Sequence, residues 1–203
     1  MRLILASASP ARLTTLRSAG IDPAVRVSGV DEDALLADAM STREAVELLA
    51  RAKAEAVAQT SAVPDDAVVL GCDSMLELEG ERHGKPRDAE EAAQRWRRMR
   101  GRSGALHTGH WLIDLRAPDA PGVGATSSTV VHFADLSDAE VEAYVATGEP
   151  LAVAGAFTID GLGGPFVTGV VGDPHGVVGL SLPVLRDLLG SVGIAIPELW
   201  SAR

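Results

Sequence analysis

The chain has 203 residues, 46% hydrophobic and 23% charged, which excludes disordered and collagen-like classes and allows one large α/β domain or two small lobes with a sizeable core. Its formal net charge of -10 argues against a non-specific nucleic-acid or anionic-membrane binder, because both targets are met with an excess of lysine and arginine. The single cysteine, Cys72, excludes a disulfide framework and fits a reducing, cytoplasmic setting, and with aromatics at 3% Leu, Val and Ala have to fill the core.

In chain order, "RLILA" (residues 2–6) reads as a short buried strand, too short for a signal-peptide core, and no stretch approaches the length of a transmembrane helix. Ser9 then caps a helix with Pro10 at its first position, Leu13 and Leu16 on its apolar stripe and Gly20 as its stop. The unpaired N–H groups and positive dipole end of such a helix suit an anion, and Ser7, Ser9 and Arg12 add hydroxyls and a forked cation; simple capping explains the same residues. Residues 41–59 form a helix opened by a Ser41–Glu44 capping box, with Val46, Leu49 and Ala56 on its stripe. Lys53 falls on that stripe, where it either snorkels to water or meets an anion.

Ala67–Leu70 reads as a strand running into Gly71, Cys72, Asp73 and Ser74. A carboxylate leaving a buried strand is either a turn-former or a metal or proton site, and because ligands collect at the carboxyl ends of strands in open α/β sheets, function is favoured for Asp73. A hairpin around Gly80 follows, and Gly84-Lys85-Pro86 holds a lysine on a rigid turn, which taken alone reads as a solvated surface lysine. A helix with Asp88 and Glu91 at its cap and Gly101 as its stop carries five arginines between Gln94 and Arg102, read as a solvated face. Two long strands, separated by a surface loop over residues 116–124, carry His107, His110 and His132, read as structural because they lack metal-ligand spacing. A helix boxed by Ser137 and Glu140 stops at Gly148, "GLGG" (161–164) reads as a flexible loop, and an amphipathic helix begins near Pro183.

There is no Walker-type phosphate loop, no dinucleotide G-x-G-x-x-G after a strand and no G-x-S-x-G elbow. Cys72 is a poor nucleophile beside Asp73, whose negative charge raises a thiol pKa.

Seven ordered blocks carry a resemblance. They are "LASASPARL" (5–13), "SGVDED" (28–33), "LARAKAEAVA" (49–58), "VLGCDS" (69–74), "GKPRDAEEA" (84–92), "TGEPLAVAGAFTIDGLGG" (147–164) and "GDPHGVVGLSLPVL" (172–185). Across them the chain resembles the Maf family of nucleoside triphosphate pyrophosphatases over nearly its whole length. The resemblance implies a single Maf-like α/β domain over residues 1–203, with a mixed twisted sheet flanked by helices and two lobes around a long cleft, as in inosine-triphosphatase-like folds. It implies cleavage of ribo- or deoxyribonucleoside triphosphates, including non-canonical ones, between the α- and β-phosphates. The products are a nucleoside monophosphate and diphosphate, the role is house-cleaning of the nucleotide pool, and a divalent cation, Mg²⁺ or Mn²⁺, is required. A homodimer is a further expectation of the resemblance. The alternative is a non-catalytic, nucleotide-binding regulator of septum formation and cell division.

By position, Ser7, Ser9 and Arg12 match the family's phosphate-binding turn, and Glu32, Lys53, Asp73 and Lys85 match its charged catalytic set. Asp73 stands where the proton acceptor is placed, and Glu32 and Asp73 are the oxygen ligands for the metal; whether Asp73 is base or ligand stays open. Ala11, Ser74 and Asp160 match positions tied to base preference, and Val153 replaces a lysine of some members. An ionised Asp160 accepts hydrogen bonds but cannot donate them, which argues against a simple dTTP or UTP preference. A cation about 4 Å from a phosphate gains about 1 kcal/mol in water but about 4 kcal/mol at an effective dielectric of about 20. Gathered cations therefore outweigh the acidic net charge locally.

Overall fold

A computed structural model describes residues 1–36, 41–60, 63–117 and 121–201, so part of the expected 116–124 loop lies outside the described residues. Its strands are β1 (Arg2–Leu5), β2 (Ala24–Val25), β3 (Ala67–Leu78), β4 (Glu81–His83), β5 (Ser103–Asp114), β6 (Val123–Phe133) and β7 (Val167–Val171). Its helices are α1 (Pro10–Ser18), α2 (Glu32–Leu35), α3 (Thr42–Ala58), α4 (Ala89–Met99), α5 (Asp138–Ala146), α6 (Pro174–Val178) and α7 (Leu182–Ser191). The strands form one mixed seven-stranded sheet in the order β2-β1-β3-β5-β6-β7, with β4 paired to β3. The chain divides into two units, the first Met1–Asp73, Thr108–Ser127 and Gly179–Arg203, the second Ser74–His107 and Ser128–Val178. None of the helices among the described residues is long and apolar enough to cross a membrane.

In the first unit β1 pairs in parallel with β2 and β3, Leu5 lying opposite Leu70. Strand alternation sends neighbouring side chains to opposite faces. Leu3, Leu5, Val68, Leu70 and Cys72 pack with Leu16 of α1 and Leu185 of α7. Ile4, Ala6, Ala67 and Val69 pack instead with Ala54 and Val57 of α3. Both helices open on the predicted caps: Ser9 Oγ accepts from the Arg12 N–H at 3.4 Å, and Ser41 Oγ accepts from the Glu44 N–H at 3.2 Å. The buried stripe of α3 runs through Val46, Leu49, Ala50, Lys53, Ala54 and Val57, so the helical repeat ends it on Val57 rather than on Ala56.

The expected strand end after Leu70 is corrected. β3 runs on through Gly71, Cys72, Asp73 and Ser74 to Leu78, because β1 pairs its first residues and β4 its last. Asp73 therefore sits within a long strand, three residues past the last partner in β1. The rule about strand ends still holds for the parallel β1–β3 pair, which closes just before Ser7 and Asp73.

The second unit corrects the core composition inferred from sequence. Scarce as aromatics are, all three phenylalanines, the one tyrosine and Trp96 gather here. The Trp96 ring meets Phe133, Tyr144 and Phe166 edge-on at 5.8, 5.5 and 6.0 Å, and its Nε1–H donates to Ala156 O at 2.7 Å. Leu and Val do fill the first unit's core, as expected. The β3–β4 hairpin turns on Glu79 and Gly80, both at positive φ, and the Ser137–Glu140 capping box on α5 is complete in both directions.

Candidate active site

The turn after β1 is built from its own polar side chains. Ser7 Oγ accepts from the Ser9 N–H at 3.2 Å and from Arg12 Nη1 at 3.0 Å. Those two bonds fill its lone pairs and leave its own proton as the group it can offer a ligand. Arg12 is buried, and its Nη1 also donates to Cys72 O at 2.9 Å while Nε donates to Gly179 O at 2.7 Å. Sequence reasoning offered the Arg12 fork to an anion, with simple capping of the helix as the alternative. In the structure it also ties the turn to β3 and to the segment entering α7, because a buried guanidinium must have its N–H groups satisfied.

Lys53 does not snorkel. Its Nζ lies 2.6 Å from Asp73 Oδ1 and 2.8 Å from Glu32 Oε1, with its side chain 10% exposed. Its meeting with Asp73 follows from parity. In β3 the residues Ala67, Val69, Gly71 and Asp73 alternate onto the face that α3 covers. A side chain at Gly71 would place its Cβ 2.0 Å from Ala50 O, so the helix backbone seats directly on the strand there. Gly109 of β5 is a second such seat, its added Cβ 2.3 Å from Val46 O. One helical turn beyond Ala50 is Lys53, and two residues beyond Gly71 is Asp73. Sequence reasoning missed both glycines, although glycine inside a strand is itself a signal of close backbone approach.

Burial pushes the Asp73 carboxyl above its ordinary range; Lys53 and Arg12 oppose the shift without cancelling it, and Glu32 adds to it. Burial likewise pushes the Cys72 thiol up to about 11. Cys72 is thus no nucleophile, chiefly through desolvation and only secondarily through Asp73. Among the described residues no three His, Cys, Asp or Glu side chains gather as a metal cage. Glu32 and Asp73 are two hard oxygen donors brought to one point by Lys53. That set fits a divalent ion of the Mg²⁺ kind, which takes one or two carboxylates and completes its shell with water and phosphate oxygens.

The first unit thus brings together Ser7, Ser9, Arg12, Glu32, Lys53 and Asp73, with Ala11 half-buried in the first turn of α1. Ser74, Lys85 and Asp160 belong to the second unit. Lys85 is exposed on a turn whose Gly84 O accepts from Arg95 Nη1 at 2.6 Å and from the Gly155 N–H at 3.0 Å. This corrects the solvated reading of the arginines of residues 94–102 for Arg95 alone. Arg95 is buried and paired with Glu91 at 2.8 Å, whereas Arg97, Arg98, Arg100 and Arg102 make surface ion pairs. The histidines pack in the sheet as expected: His107 Nδ1 lies 2.8 Å from Ser128 Oγ, and His110 Nε2 accepts from the Ser181 N–H at 2.9 Å.

Comparison with known proteins matches residues 2–192 to the family described as Maf-like protein. A nucleoside triphosphate pyrophosphatase of Salinispora tropica is 56% identical over 203 residues, covering 99% of this chain and 88% of that protein. Proteins of the same name from Leifsonia xyli and Mycobacterium marinum are 54% and 51% identical, covering 99% and 100% of this chain and 97% and 98% of their own lengths. Among solved structures, the Staphylococcus aureus Ham1 protein is similar at a TM-score of 0.44 and 13% identity, over 98% of this chain and 94% of that one, a likeness too weak to carry an argument.

Proposed function

We infer that this chain, which belongs to the Maf-like protein family, is a nucleoside triphosphate pyrophosphatase. The reaction assigned to it is hydrolysis of a ribo- or deoxyribonucleoside triphosphate to a monophosphate and diphosphate, in the service of cleaning the nucleotide pool. The observation that carries this reading is the buried Lys53 shared between Asp73 and Glu32, beside the Ser7–Arg12 turn. Asp73, Lys53 and Arg12 are drawn out of water, with the exposed Glu32 at their edge, and three buried charges are costly to keep unless an anionic substrate and its chemistry use them.

In this reading the water oxygen bonds to the α-phosphorus while the bond from that phosphorus to the α–β bridging oxygen breaks. The electron pair departs with diphosphate, and the water's proton passes to a carboxylate. Asp73 is suited to take it, because burial raises its proton affinity. Lys53 has three N–H donors, two of them engaged by carboxylates, so one serves a phosphate oxygen. Ser7 Oγ–H and the Ala11 N–H in the first turn of α1 bind further phosphate oxygens, with Arg12 adding charge from behind. A Mg²⁺ or Mn²⁺ ion held by Glu32, and by Asp73 only where Asp73 is ligand rather than base, would supply neutralisation of the phosphates and stabilise the leaving diphosphate. Lys85 as a further cation, and Ala11, Ser74 and Asp160 as selectivity positions, enter by resemblance alone. The buried free thiol of Cys72 fits the reducing cytoplasm in which we place the enzyme.

The test is product analysis with the purified chain, Mg²⁺ or Mn²⁺, and a panel of common and modified-base nucleoside triphosphates. Equal amounts of monophosphate and diphosphate are expected from at least one nucleotide. Release of inorganic phosphate in place of diphosphate overturns the cleavage position, and tight binding without turnover restores the regulator.

A further inference from the structure

The "GLGG" segment is no slack loop. Glu149 follows the left-handed Gly148 that ends α5, and its carboxylate collects four donors. Oε1 accepts from Thr158 Oγ1 at 2.6 Å, from the Tyr144 hydroxyl at 2.8 Å and from the Gly163 N–H at 3.0 Å. Oε2 accepts from the Leu162 N–H at 3.0 Å. Tyr144 is fixed in turn by the aromatic core against Trp96 and Phe166. The glycines fit this role. A Cβ at Gly161 would stand 2.5 Å from Glu149 Oε2, and one at Gly163 would stand 2.4 Å from the Tyr144 hydroxyl. The backbone closes on the carboxylate only because neither residue has a side chain.

The arc from Thr158 to Gly163 is therefore pinned at both ends to one carboxylate. Asp160 stands at its exposed middle, two residues from either pin. We propose that Glu149 is a positioning residue for base selectivity, fixing the arc that presents Asp160 to the nucleotide. This rests on the reading of Asp160 as a selectivity position. Glu149 itself touches no reacting atom; it acts by holding Asp160 in one place, so that a base lacking the matching donors is rejected rather than accommodated.

The experiment compares Glu149→Gln, Asp160→Asn and the double variant on dTTP, UTP, CTP, GTP and ITP. In Glu149→Gln an amide replaces one oxygen that the arc's N–H groups require as an acceptor. The ratio of kcat/KM between the best and the poorer nucleotides should shrink by about tenfold, with the change in KM rather than in kcat. In the Asp160→Asn background Glu149→Gln should change that ratio by less than about twofold, because the two substitutions act through one element. A full additional tenfold there, or an unchanged ratio in Glu149→Gln with faster exchange of the Leu162 and Gly163 amides, overturns the proposal while leaving Asp160's role standing. An unchanged ratio in Asp160→Asn overturns the Asp160 reading itself. Should Glu149→Gln fail to fold, Tyr144→Phe and Thr158→Val each remove one donor, and the same non-additivity with Asp160→Asn is required of them.

Discussion

Asp73 in the first unit and Glu149 in the second are both carboxylates drawn toward the interior, and the protein treats them in opposite ways. Burial raises the proton affinity of each. At Asp73 it outweighs the pull of Lys53 and Arg12, and the carboxyl sits above its usual range. At Glu149 the bonds from Thr158, the Leu162 amide, Tyr144 and the Gly163 amide outweigh it, and the carboxyl sits below. Asp73 leans on a long cationic side chain that can turn to a new anion, whereas Glu149 is held by neutral donors set in the backbone and the aromatic core. The ionised form of Asp73 is thus carried at a cost to the fold, and that of Glu149 at a gain. An acid kept ready for proton transfer and an acid kept as a fixed anchor are distinguished both by depth, Asp73 being buried and Glu149 half-buried, and by the donors that surround them.

The largest effect that tests this contrast is at Asp73. Asp73→Asn should lower kcat by about 10²- to 10⁴-fold, as loss of a general base does, while Tm by calorimetry moves by less than about 4 °C. Unfolding of that variant would make Asp73 an anchor of Glu149's kind. Next comes the seat that delivers Lys53. Gly71→Ala drives a methyl into the Ala50 carbonyl, so α3 has to lift from β3. We expect a loss of about 1–3 kcal/mol, read as about 2–4 °C of Tm per kcal/mol, together with a fall in kcat/KM. Full activity in Gly71→Ala would show that the Lys53–Asp73 contact does not depend on the helix seat.

The smallest effect sharpens the other side. A carboxyl whose folded pKa is lowered contributes stability above its unfolded pKa, near 4.3, and that contribution disappears as pH falls through the folded value. Urea midpoints of the unaltered chain and of Glu149→Gln, measured from pH 7 down to pH 3, should therefore differ most near neutrality and converge in acid. A gap that widens as pH falls would reverse the sign assigned to Glu149.

The polar turn after β1, the caps at Ser9, Ser41, Asp88 and Ser137, and the anomalous lysine on the α3 stripe are all legible in the amino-acid sequence. Each is a local signal, a residue type at a set spacing. The length of β3, the burial of Arg95, the aromatic core and the anchoring of "GLGG" were not, because each depends on partners distant in sequence. Glu149 and Gly163 meet only once the intervening turns close, and Arg95 looks like any helix arginine until Gly84 is brought beneath it.

By itself the sequence determined the elements, their amphipathic faces and the chemical inventory of the site, since hydrogen-bonding capacity, charge and periodicity belong to the chain wherever it goes. Only the tertiary structure decided which charges share a partner. Lys53 and Asp73 are 20 residues apart along the chain and 2.6 Å apart in space, and burial by the surrounding fold is what turns that pair from two solvated ions into a perturbed acid and its cation.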